Sequence, residues 1–168
     1  MLEEIARHDA DIICLQEVDH FPLLKEALAC LNYDGYFFPK PDSPCLYLPE
    51  NAGPDGCAIF YKRNRFDLEK VESRVIEVWC VQSNQVVLST ILRSKLTQAK
   101  IHVATTHLKA RNGALLSTLR NEQGKDLLGY LERLSCDGDI PIICAGDFNA
   151  EPTEPVYQTI TDGLGNIR

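Results

Sequence analysis

IPIICAGDFNAEPTEPVY, residues 140–157, decides how the rest of the chain is read. The apolar run from Ile140 to Ala145 predicts a fully buried strand that stops at Gly146. Asp147, Phe148 and Asn149 follow. Side chains alternate along extended backbone, so Asp147 and Asn149 are expected to point one way and Phe148 into the core. Two oxygen-bearing groups at the end of a buried strand suit a metal or a phosphate. The same three residues also make an ordinary Asx turn.

Two other segments end in the same manner. DIICLQEV (11–18) is apolar until Gln16 and Glu17. A carboxylate at the end of a buried strand is costly unless it reaches solvent or a divalent cation offsets it. KIHVATTH (100–107) reads as a strand, and alternation through LKAR would put His107, Lys109 and Arg111 on one side. Three nitrogen donors there would form an anion site, although a Lys/Arg pair after a strand is commonly solvated. Lys40 lies between Pro39 and Pro41 at the start of PKPDSPCLYLPENAGPDG (39–56), a long ordered loop. Its stiff backbone could present the cation to a phosphate, or Lys40 could be a plain surface lysine.

The remaining pattern sets the fold class. Met1–His8 predicts the last turns of a helix, and Phe21–Leu31 a helix with Pro22 in its first turn and Leu23, Leu24, Ala27, Leu28 and Leu31 on its inner stripe. Short strands are expected at Tyr36–Phe38 and Cys57–Tyr61, one or two strands at Phe66–Val81, and a further strand at Asn84–Leu92. With Lys100–His107 these make an antiparallel meander. Ala114–Leu134 is a long amphipathic helix, mildly interrupted by Gly124. Cys136–Asp139 reads as a turn. Residues 151–154 start a last helix with Val156, Tyr157 and Ile160 inward, and the tail TDGLGNIR has no partner element. The class is α/β, with two mixed sheets face to face and helices outside.

Composition narrows the function. A chain of 168 residues is one domain with a sizeable core. A net charge of −7 is a poor match for a surface that follows long nucleic acid by charge alone. Seven cysteines form no CxxC pair, which argues against a zinc site. Cys14 and Cys144 sit in apolar runs, and the odd count suits a reducing compartment. No run of 18 apolar residues spans a membrane, and the acidic start has no signal-peptide shape.

LQEVD (15–19), THLKAR (106–111) and GDFNAEPTE (146–154), in that order, resemble the endonuclease/exonuclease/phosphatase superfamily of divalent-metal phosphoesterases. FFPKP (37–41), NAGPDGCAIF (51–60), SNQV (83–86) and GDFNAEPTEPVY are similar to its nocturnin branch, over essentially the whole chain. The resemblance implies an α/β/β/α sandwich. It also implies Mg²⁺ held by Glu17, catalytic roles for Asp147, Asn149 and His107, and substrate contacts from Lys40, Asn84, Lys109 and Arg111. The family's first strand carries an Asn and its last an Asp-His pair. Neither is found here, so the expectation is a partial domain over residues 1–168, incomplete at both ends. The implied reaction is removal of the 2′-phosphate of NADP⁺ or NADPH. The rivals are poly(A) exonuclease activity on RNA and a non-catalytic binding protein. The implied compartment is cytoplasmic, or mitochondrial if a targeting segment lies upstream.

Overall fold

Gly56–Lys62 (β3) is buried along almost its whole length on both of its faces, and the layers of the molecule are stacked on it. In the computed structural model, which describes residues 2–135 and 140–166, β3 lies between Ile12–Val18 (β1) and Tyr33–Pro39 (β2), antiparallel to both. Alternation along β3 sends Cys57, Ile59 and Tyr61 toward the second sheet, where they pack with Val86, Leu88, Leu92 and Val103. Ala58 and Phe60 face the other way. They pack with Leu24 and Leu28 of helix α2 (Phe21–Ala29), while Ile5 of α1 (Leu2–His8) lies at the edge of that cluster.

The second sheet has the order β4 (Phe66–Val78), β5 (Val81–Ser94), β6 (Lys100–His107) and β7 (Ile142–Asp147). The first three form the expected antiparallel meander, with β4 a single strand. β7 joins β6 in parallel, which requires a crossover, and helix α3 (Ala114–Ser135) supplies it. Leu127 and Leu131 of α3 pack with Val156 and Ile160 of helix α4 (Pro155–Asn166) over the outer face of this sheet. Gly124 is what lets the two helices approach: a Cβ there would stand 2.9 Å from a methyl of Val156. The layers therefore run α/β/β/α as expected. Only the four-stranded sheet is mixed, because β1 and β2 both take β3 as an antiparallel neighbour.

The structure corrects several boundaries. β7 is not fully buried. Among the described residues it pairs with β6 alone, and Ile143 is 51% exposed. Its strand also continues through Gly146 to Asp147, because a glycine fits where a Cβ would stand 2.2 Å from the Thr106 carbonyl oxygen. α4 takes up most of the expected loose tail, and Tyr157 is exposed on it: Val156 and Ile160, four apart, share the inner face and Tyr157 lies a hundred degrees away. Leu23 and Leu31 are likewise exposed beside the buried Leu24 and Leu28. The turn expected at Cys136–Asp139 lies outside the described residues. No described helix is long and apolar enough to cross a membrane.

Candidate active site

The parallel pairing of β6 and β7 sets His107 opposite Asp147. The imidazole Nε2 stands 4.0 Å from Asp147 Oδ2, too far for a direct hydrogen bond and near enough for a bridging water. His107 is buried and its Nδ1 has no partner, whereas Asp147 is exposed. Beyond Asp147 the backbone leaves the strand. Asn149 has a left-handed φ of 49°, its N–H donates to Asp147 Oδ1 at 2.9 Å, and its Nδ2 donates to the Leu108 carbonyl at 3.0 Å. Asp147 and Asn149 are thus brought together by an Asx turn and not by strand alternation. Phe148 does pack inward, against the cluster under α3 and α4.

At the end of β1 the pairing with β3 slips between Leu15 and Val18. Glu17 occupies that irregularity with φ 54°, an uncommon conformation for a residue with a long side chain, and its side chain is exposed. Gln16 Nε2 donates to Thr105 Oγ1 at 2.9 Å, which ties the end of β1 to β6 two residues before His107. Glu17, His107 and Asp147 therefore close the same end of the sandwich. No group of three His, Cys, Asp or Glu among the described residues could enclose a metal. The exposed Glu17 carboxylate is a hard oxygen donor of the kind a divalent cation takes.

Alternation does not carry Lys109 and Arg111 onto the face of His107. β6 ends at His107, Leu108 is buried directly after it, and Arg111 has a φ of 79°. Both cationic side chains are exposed on a loop that is held from beneath. Arg120 of α3 is 1% exposed and donates from Nη1 to the carbonyls of Lys109 (3.0 Å) and Arg111 (2.7 Å). Its Nε and Nη2 donate to Glu154 Oε2 at 3.2 and 2.6 Å. Hydrogen bonds from Arg120 and Ser117 hold the Glu154 carboxyl below its usual range. Gln123 accepts the Lys109 N–H at 3.0 Å. Asn84 and Lys109 line one groove.

Lys40 is neither free nor a surface lysine. Its Nζ lies 2.5 Å from Asp55 Oδ2, with the two side chains 11% and 7% exposed. Ser43 Oγ donates to Asp55 Oδ1 at 2.5 Å and accepts the Asp55 N–H at 2.8 Å. Burial pushes the Asp55 carboxyl up, but the bonds from Lys40 and Ser43 outweigh it and leave it below the usual carboxylate range. Asn84 then joins this corner to β5: its Oδ1 accepts the Asp42 N–H at 2.8 Å and its Nδ2 donates to the Asp42 carbonyl.

Sequence reasoning passed over Arg120, Glu154, Ser43 and Asp55, and gave Gln123 no role. The signal was present in α3. Leu116, Arg120, Gln123 and Leu127 follow helical spacing, so a cation and an amide stand on the apolar stripe, where they need buried partners.

The chain was compared with known proteins. It is 56% identical to Nocturnin of Drosophila melanogaster over 160 residues, 95% of this chain and 25% of that protein. The solved human Nocturnin catalytic domain with bound sulfate superposes with a TM-score of 0.93 at 44% identity, over 98% of this chain and 61% of that one. ANGEL2, a 2′,3′-cyclic phosphatase solved with adenosine-2′,3′-vanadate, superposes with a TM-score of 0.79 at 28% identity, over 99% and 50%. The chain thus spans about a quarter of its fly relative and about three-fifths of the human domain. Residues 1–167 match the family model as well, and this chain belongs to the endonuclease/exonuclease/phosphatase family.

Proposed function

We propose that this chain carries the central part of the active site of a Mg²⁺-dependent phosphoesterase that removes the 2′-phosphate of NADP⁺ or NADPH, leaving NAD⁺ or NADH. The observation that carries the reading is that Glu17, His107 and Asp147 all stand where strands end at one end of the sandwich, His107 opposite Asp147 and the end of β1 tied to β6 through Gln16 and Thr105, with the loop of Lys109 and Arg111 buttressed directly after β6. Glu17 would hold the metal through its exposed carboxylate. A divalent cation bound there supplies charge neutralisation at the phosphoryl oxygens.

The chain's own residues do the rest. Asp147 Oδ2 is free of the Asx turn and can orient a water and take its proton as the new P–O bond forms and the bond to the ribose 2′ oxygen breaks. Asn149 spends one amide hydrogen on Leu108 and keeps the other for a phosphoryl oxygen. His107, whose Nε2 stands 4.0 Å from Asp147 Oδ2, would help hold the phosphate beside that carboxylate. Lys109 and Arg111 would grip the pyrophosphate, with Asn84 on the groove wall. Lys40, its charge paired with the largely buried Asp55, holds the long loop in place and not the ligand.

Support for this substrate comes from charge and from relatives. A net charge of −7 favours a compact phosphorylated ligand over a poly(A) track. The human Nocturnin domain holds a sulfate, a tetrahedral dianion like phosphate, and ANGEL2 holds a phosphoryl mimic at the ribose 2′ and 3′ oxygens. A cytoplasmic setting agrees with the free thiols of buried Cys57 and half-buried Cys14 and Cys144, which desolvation pushes up to about 12, 11 and 12. The test measures phosphate release from NADPH and shortening of a poly(A) oligonucleotide in one Mg²⁺ buffer. It uses this chain alone and grafted between the flanks of the fly relative. Phosphate from NADPH that a chelator abolishes is the expected result. Poly(A) shortening without phosphate release would overturn the dinucleotide reading, and nucleotide binding without either activity would make the chain a binding protein.

A further inference from the structure

One large aromatic side chain stands where neither the core nor the phosphate chemistry requires it. Trp79 is 65% exposed at the tip of the hairpin that joins β4 to β5. Val78 pairs with Val81 across the tip, so Trp79 and Cys80 form a two-residue turn, and both have left-handed backbone, φ 50° and 63°. Turns of this kind prefer Asn-Gly, because a bulky side chain at positive φ is strained. A tryptophan held there by a two-residue turn between long paired strands is a solvent-facing plate. Strained backbone of this sort gathers at ligand clamps.

The plate overlooks a chemically specific groove. Trp79, Val81 and Leu119 form its apolar wall and Lys109 supplies a cation, while the amides of Asn84 and Gln85, which also line it, are engaged with Asp42 and Gln123. The groove holds about 430 Å³, the size of a nucleotide-scale site. Lys109 is one of the two loop cations, and its backbone is fixed by Gln123 and Arg120, so its ammonium group is presented from an anchored position. An aromatic face beside a fixed cation matches a planar heterocycle carrying a phosphate, because bases stack on aromatic rings with little dependence on their identity.

We propose that Trp79 and the groove beneath it are the base subsite of this protein: the indole stacks on the ring of a nucleotide whose phosphate is held by Lys109. The proposal deepens the phosphoesterase reading and rests on it. It assigns the ring end of the ligand to the β4–β5 hairpin and the reacting phosphate to the strand ends.

Trp79 is the chain's one tryptophan, so its emission reports on the groove directly. The chain is titrated with NADP⁺, AMP and ribose 5-phosphate in Mg²⁺ buffer. Saturable quenching by NADP⁺ and AMP is expected, with ribose 5-phosphate, which has the charge and no ring, about tenfold weaker or more. The Trp79→Ala and Trp79→Phe variants are followed by calorimetry, since Ala removes the fluorophore. Ala should weaken AMP about tenfold or more, Phe should restore most of the loss, and both should melt as the parent does because the side chain is exposed. Equal affinity of the Ala variant for AMP, equal affinity of the parent for ribose 5-phosphate, or no quenching by NADP⁺ overturns the subsite. Nucleotide quenching without phosphate release from NADPH would leave the subsite standing and remove the reaction. Phosphate release with an unchanged KM in the Ala variant would do the reverse.

Discussion

The corner around Lys40 and the end of the sandwich around Glu17 contain similar chemistry in opposite states. At the corner, Lys40, Ser43 and Asp55 satisfy one another within 2.5–2.8 Å, all three largely buried. At the strand ends, Glu17 is exposed on left-handed backbone, His107 keeps an unpartnered Nδ1, and His107 and Asp147 stop 4.0 Å apart. Buried polar groups that close on each other organise a loop. Those left short of a partner are available to something else. The corner therefore reads as scaffold for the long loop, and the strand ends as the place where chemistry is done.

The largest test of this contrast is Glu17→Gln. In the grafted protein it should lower phosphate release by about two to three orders of magnitude, because the metal's charge stabilisation is lost. The melting temperature should barely move, since the side chain is exposed. Unchanged turnover, or activity that ignores a chelator, would break the assignment. Asp55→Ala tests the other side. It strands the Lys40 ammonium in a buried setting and should cost about 3 kcal/mol of stability in denaturant melts. A near-silent Asp55→Ala would mean that Lys40 swings freely to solvent and that the corner is open after all.

Smaller effects sharpen the comparison. Lys109→Ala should reduce kcat/KM for NADPH about ten- to a hundredfold at unchanged stability, because its structural contacts are made by its backbone and not its ammonium. A drop in melting temperature would show that the side chain itself supports the loop. His102 gives the mildest effect, on pH. It is buried on β6 with Nε2 unpartnered, and burial pushes its pKa below the ordinary 6.5, with Glu72 opposing and Lys70 adding. A depressed folded-state value means the unfolded chain binds the proton first. The stability is full above about 6.5 and is lost as pH falls below it. Melts between pH 7.5 and 5.5 should show a decline that His102→Gln reduces. An identical decline in the variant would assign the pH dependence elsewhere.

Periodicity determined the element order, the meander and the helix-covered sheets from sequence alone, because burial of an apolar face is a local property of spacing. Lys100–His107 matches the observed strand to the residue. The motif order also placed Glu17, His107 and Asp147 at strand ends. What sequence could not decide was how those ends are finished. Alternation was extended past His107 and Asp147, yet backbone pairing stops there and side-chain hydrogen bonds take over: the Asx turn at Asn149, and the Arg120 buttress under Lys109 and Arg111. Arg120 lies nine and eleven residues from the carbonyls it holds, and Asp55 fifteen from Lys40. Such partners are chosen by where the folded chain brings them. A lysine in sequence carries a charge, and only the tertiary structure decides whether that charge is already spent on Asp55 or still open to a ligand.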